Sequence, residues 1–248
     1  MCPASEASNE SVRRLGSYTT AKITAGRVER VERHVARLRR DAGRLGLPLP
    51  PRAAIEDLFL TCAAKTFGKG DGIVRIEWSH LPSEAPELIA TPRAYADAGS
   101  EWRAATSKTV HPGPEFRANT KYVDVSAYDL GRAEIKASEL NEVLLYDANG
   151  HLVEGAASNF LVVTRDDRIT TPARDLGPVE GLGLTVLRDS HPEIQEAHLT
   201  RQDIATCQEL MSTNGVRGLV PITHLDDHPI NNGQPGPIAK ALGATFNA

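Results

Sequence analysis

Lys121 and Glu154, 33 residues apart, are the side chains around which a chemical reading of this chain can be built. A primary amine held in a protected site can condense with a carbonyl and later move protons. A carboxylate can keep a neighbouring base protonated. Between the two lie the apolar run Val143-Leu144-Leu145, the turn Asp147-Ala148-Asn149-Gly150, and Leu152-Val153 leading into Glu154. Asn-Gly between two short apolar runs is a strong hairpin signal. The pattern predicts that Lys121 opens a helix carrying Val125, Leu130, Ile135 and Leu140, and that Glu154 lies just past the hairpin turn.

This stretch resembles the fold-type IV pyridoxal-phosphate enzymes, the class IV aminotransferases and lyases. Their lysine is followed by G-x-x-x-E-G-x-x-S-N, matched here by Gly150-His151-Leu152-Val153-Glu154-Gly155-Ala156-Ala157-Ser158-Asn159. The resemblance implies that Lys121 condenses with the aldehyde of pyridoxal 5'-phosphate. It also implies that Glu154 keeps the pyridine nitrogen protonated, so that the ring accepts electrons. His34-Val35-Ala36-Arg37-Leu38 resembles the family's H-x-x-R-L, whose arginine holds the cofactor phosphate. A guanidinium suits phosphate because its planar fork donates two hydrogen bonds at once. Gly181-Leu182-Gly183-Leu184 resembles the G-[IL]-T-R turn, which implies that Leu182 and Gly183 offer backbone N–H groups to the phosphate at a helix start. Here Gly183 replaces the threonine and Leu184 the arginine, so a side-chain hydroxyl is expected to be lost. Asn214 and Gly215, in Thr213-Asn214-Gly215-Val216-Arg217-Gly218, resemble the last active-site loop.

Within the family, two places resemble 4-amino-4-deoxychorismate lyase, which eliminates pyruvate to give p-aminobenzoate for folate synthesis. Thr19-Thr20 matches the lyase F-T-T-A-R-V, whose second threonine is the proton donor to the leaving group, a role that falls here to Thr20. The 213–218 loop matches its x-N-x-[LM]-x-G better than the aminotransferase loops. Tyr18, expected in the substrate pocket, stands where lyases have phenylalanine and D-amino-acid aminotransferases have tyrosine. No R-x-H carboxylate trap is visible near Trp78-Ser79-His80, and Asn9 to Gly16 replaces the usual D-R-x-x-x-[FY]-G-D-G. An aminotransferase acting on D-amino or branched-chain amino acids is the second reading. A catalytically inert relative that binds the cofactor is the third.

The 248 residues, 40% apolar and 24% charged, are ample for a globular core. A net charge of -4 argues against a nucleic-acid partner. No apolar run approaches ~18 residues, which argues against a membrane span. Cys2, Cys62 and Cys207 are widely spaced and read as reduced thiols of a cytoplasmic protein, and no histidine or cysteine spacing suggests a metal site. The start of the chain, through Ser11, is expected to be a frayed leader. The segment from Gly16 to Thr91 reads β-β-α-α-β-β, with helices over 32–45 and 53–67, strands over 73–78 and 88–91, and the last strand ended by Pro92. After it come strands over 102–106, 160–163 and 169–172. This is an α+β pattern. The resemblance implies the two-domain architecture of D-amino-acid aminotransferase-like enzymes, with domains expected at 1–96 and 97–248. The resemblance further implies a homodimer acting on a small-molecule amine.

Overall fold

The computed structural model describes residues 14–115 and 119–247. The expected leader lies outside them, as does most of the segment that departs from the family pattern before Gly16. The first 80 described residues build a four-stranded antiparallel sheet. Its strands are β1 (Leu15–Thr24), β2 (Arg27–Val28), β3 (Gly72–His80) and β4 (Glu87–Arg93), in the order β2-β1-β3-β4. Two helices, α1 (Val31–Arg44) and α2 (Arg52–Phe67), cover one face. Strand alternation decides which side chains meet them. Ala21, Ile23, Val74 and Ile76 point to the helices and pack on Val35, Leu38, Ile55 and Phe59 in a closed core. Tyr18 and Thr20 take the opposite face. There the register sets Thr20 beside Arg75 and Tyr18 beside Glu77.

Pro92 does not end β4. It pairs with Val74 and the strand runs on to Arg93. Because β4 is the edge strand, no partner needs the N–H that proline lacks.

The remaining strands form a nine-stranded sheet: β5 (Trp102–Val110), β6 (Glu142–Tyr146), β7 (Leu152–Gly155), β8 (Asn159–Val163), β9 (Ile169–Pro172), β10 (Gln195–Ala197), β11 (Glu209–Asn214), β12 (Gly218–Leu225) and the short β13 (His228–Pro229). β6 and β8 are buried throughout, which explains their unbroken apolar runs. Phe160 and Val162 pack into one core, while Leu161 and Val163 join α4 (Leu182–Ser190) and α6 (Pro237–Asn247) in another. The hairpin between β6 and β7 turns at Gly150, which sits at φ 84. The Asp147 carboxylate accepts the N–H groups of Asn149 and His151 and so fixes the turn.

The segment around Lys121 differs from expectation. Lys121 does not open a helix. It lies in an extended segment laid against β1, where the Tyr18 N–H donates to the Lys121 carbonyl at 3.0 Å and the Val123 N–H to the Gly16 carbonyl at 3.1 Å. The helix, α3, spans Ser126–Lys136 and stops short of Leu140. Val123 and Val125 favour extended backbone, and the pairing with β1 supplies hydrogen bonds that a helix would otherwise provide. Among the described residues, no helix is long and apolar enough to cross a membrane.

Candidate active site

The free face of the first sheet looks onto a cleft of about 370 Å³, closed on its other side by residues of the second sheet and α4. Lys121, Thr20, Tyr18, Arg37, Glu154, Leu182, Asn214 and Gly215 all line it. Of the site residues expected from sequence, only Gly183 does not. A surface depression of about 540 Å³ around Arg174 and His198 contains none of these residues.

Lys121 is held from two sides. Its main-chain N–H donates to Oδ2 of Asp41 at 3.1 Å, and its carbonyl is bound to β1 as described. Its Nζ lies 4.8 Å from the centroid of the Tyr18 ring, and the Arg75 guanidinium lies 3.7 Å from the same centroid. Burial alone would raise the Tyr18 hydroxyl. The charges of Lys121, Arg75 and Arg132 outweigh it and bring the phenol below its usual range.

Glu154 is buried at the end of β7 and both of its oxygens are occupied. The Tyr128 hydroxyl donates to Oε1 and the Val179 N–H to Oε2 at 3.0 Å. His111 Nδ1 accepts the Gly113 N–H at 3.1 Å, so the ring proton belongs on Nε2, which faces Oε1 at 3.2 Å. Sequence reasoning gave no signal for His111, which belongs to none of the motifs.

The motif residues around Glu154 have separate structural duties. Glu142 on β6 accepts the Ser158 hydroxyl at 2.6 Å and the Ala156 N–H at 3.0 Å, so one buried carboxylate anchors the turn after Glu154. Burial raises the Glu142 carboxyl above its usual range against the opposing pull of these hydrogen bonds. A Cβ on Gly155 would come within 2.7 Å of the Glu142 carboxyl carbon. Asn159 donates to the Val179 carbonyl at 2.9 Å and fills the space over Gly181, tying β8 to the approach of α4.

A cradle of unused donors lies beside this frame. Arg37 is buried and donates Nη2 to the Glu180 carbonyl at 3.0 Å, while its Nε has no partner. The Glu180 side chain binds Arg40 at 2.6 Å and Arg44 at 2.7 Å, which latches α1 to the segment before α4. Gly181, the residue before α4, offers no side-chain cap, so the N–H groups of the first turn are open. The hydroxyl expected to be lost at Gly183 arrives from elsewhere. Thr213 on β11 places Oγ1 in the space a Gly183 side chain would need, and that oxygen is buried without a partner. The oxygen of Asn214 is turned the other way, accepting the Val216 N–H at 2.9 Å and the Arg217 N–H at 2.8 Å. An arginine, an open helix start and an unpaired hydroxyl fit a phosphate monoester.

The profile of the amino-transferase class IV family matches residues 16–225. The chain belongs to this family. Its cofactor is pyridoxal phosphate, and the cradle fits the phosphate of that molecule. Among curated relatives, the aminodeoxychorismate lyase of Vibrio harveyi is 22% identical, over 94% of this chain and 91% of that protein. A probable branched-chain-amino-acid aminotransferase of Aquifex aeolicus is 26% identical over 46% of this chain, but the match spans only 38% of that protein's length. The fold is also seen in a Brucella abortus aminotransferase solved with pyridoxal phosphate, with a TM-score of 0.77 and 22% identity over 93% of this chain and 87% of that one.

Proposed function

We propose that this class IV enzyme is a lyase that eliminates pyruvate from 4-amino-4-deoxychorismate and yields p-aminobenzoate. The observation that carries the reading is Thr20. It lines the cleft two residues along β1 from Tyr18, whose ring carries the Lys121 amine. The bound cofactor supplies an electron sink for the negative charge that develops beside the substrate nitrogen. In this reading Arg37, Thr213 and the open start of α4 hold its phosphate. Glu154, fixed by Tyr128, His111 and Val179, keeps a proton on its ring nitrogen. Lys121 anchors it and then takes the proton from the substrate carbon beside the amine. Thr20 donates a proton to the ether oxygen as the carbon–oxygen bond breaks, and pyruvate departs as its enol. The two copies of a homodimer proposed from the family resemblance would each carry one such cleft.

The aminotransferase reading is supported by the tyrosine at position 18 and by the aminotransferases among the relatives. Two assays on one preparation decide between them. Pyruvate release from aminodeoxychorismate without a keto-acid acceptor means lyase. Amino transfer from D-alanine or a branched-chain amino acid to 2-oxoglutarate means aminotransferase. Cofactor binding with neither activity would favour the inert relative.

A further inference from the structure

Six cations line the cleft, Arg37, Arg75, Arg93, Lys121, Arg132 and Arg217, against the two carboxylates of Glu142 and Glu154. Most of the cations are engaged. Arg37 belongs to the cradle, Arg75 pairs with Glu77 at 2.7 Å, and Arg132 pairs with Asp129. Lys121 is the reactive amine. That leaves Arg93, exposed at the end of β4, and Arg217. Arg217 forms no ion pair among the described residues, and its Nη1, like the Nε of Arg37 and of Arg75, is buried without a hydrogen-bond partner.

Its position is nevertheless fixed. The Asn214 oxygen accepts the Arg217 N–H at 2.8 Å and holds the backbone of the β11–β12 turn. The guanidinium carbon sits 4.6 Å from the centroid of the Tyr95 ring, which also carries the Lys22 amine at 5.1 Å. Tyr95 comes from the segment joining the two sheets. Arg37 is anchored to Glu180 and Arg217 to Tyr95, so the two guanidinia are secured on different parts of the wall. A charged group that is preorganised, partly desolvated and without a counter-charge is a receptor for an anion. A hydrocarbon side chain in the same place would leave that donor unsatisfied.

We infer that Arg217 is a specificity-determining residue that binds a carboxylate of the substrate remote from the reacting amine. The favoured substrate is then an amine carrying two carboxylates, and amines with one carboxylate and an aliphatic side chain are disfavoured. The inference rests on the proposal that amines react at Lys121, and it is tested in a way that separates the two.

The probes are benzene-1,3-dicarboxylate and benzoate, and their binding to the protein loaded with pyridoxal phosphate is measured by calorimetry. The same titrations are run without added cofactor, so that a failure of cofactor binding shows separately from a failure of carboxylate recognition. The dicarboxylate should bind about ten-fold or more tightly than benzoate, the scale of one charge-assisted contact. Arg217→Gln should remove most of that preference and Arg217→Lys restore part of it, with the borohydride-fixed adduct at Lys121 unchanged. Tyr95→Leu, which frees the guanidinium, should also reduce the preference. Equal binding of the two probes to the unmodified protein would overturn the inference, as would an undiminished preference in Arg217→Gln. A loss of cofactor affinity in Arg217→Gln, with the probe preference intact, would overturn it too by assigning Arg217 to the phosphate.

Discussion

The Asp41 carboxylate accepts the main-chain N–H of Lys121 at 3.1 Å, and Asp41 lies one helical turn beyond Arg37 on α1. One rigid turn of helix therefore carries both the guanidinium proposed to bind the phosphate and the anchor of the proposed reactive lysine. Asp41 is fully buried and also meets Arg40 at 2.9 Å. Asp41→Ala should cost about 3 kcal/mol of stability in urea, the scale expected when one partner of a buried ionic contact is removed. Asp41→Asn keeps an acceptor for the Lys121 N–H and should cost clearly less. It should also capture pyridoxal phosphate faster than the alanine variant. Equal capture rates in the two variants would show that the anchor plays no part in presenting the amine.

Lys121→Ala should abolish the visible absorbance band that borohydride removes. Phosphate binding through Arg37 should survive, so pyridoxal phosphate would still bind, reversibly. Mass spectrometry of the reduced wild-type protein should find the adduct on the peptide containing Lys121. An adduct on Lys136, at the end of α3, would refute the assignment.

Thr20→Val removes a hydroxyl from the cleft while preserving β-branched shape on β1. Turnover with aminodeoxychorismate should fall by ~10²–10⁴-fold, the usual contribution of a positioned proton donor. The cofactor band should keep its intensity. If turnover is unaffected, the proton comes from another group.

His34 is buried between β1 and α1, with Nδ1 2.7 Å from the Thr19 hydroxyl. Burial, then the charges of Arg37 and Arg30, pushes its pKa down to about 3. Between that value and the ~6.5 of an unfolded histidine, the unfolded chain binds one more proton than the native one. Stability should therefore be flat above pH ~6.5 on account of this group and decline below it, by up to ~1.4 kcal/mol per pH unit. His34→Gln should flatten that part of the profile in urea denaturation from pH 7 to pH 4.5. An unchanged slope would mean that other groups carry the acid sensitivity.

Local signals were legible where local physics decides. The strand Ile169–Pro172 has the bounds expected from its residues, α2 begins one residue earlier than expected, and the hairpin before Glu154 forms where Asn149-Gly150 marked it. The placement of Lys121 was not legible, because its backbone is extended through pairing with β1, a partner about a hundred residues away in sequence. Pro92 misled for a similar reason, since only the sheet order reveals that β4 is an edge. Arg37 and Glu154 could be read from motifs. Asp41, His111 and Arg217 could not, because each gains its position from contacts between elements.

Gly183 and Thr213 occupy a single volume, with the hydroxyl of one filling the space the other lacks. The backbone of Asn214 presses on the same spot, which ties residue 183 to glycine while β11 keeps its place. A threonine entering at 183 would collide with Thr213 Oγ1 and, at 2.8 Å, with the Asn214 backbone nitrogen, so emptying position 213 alone would not make room for it. A side chain at 183 would need the 213–214 backbone to move as well, so in this chain the hydroxyl proposed for the phosphate is tied to position 213.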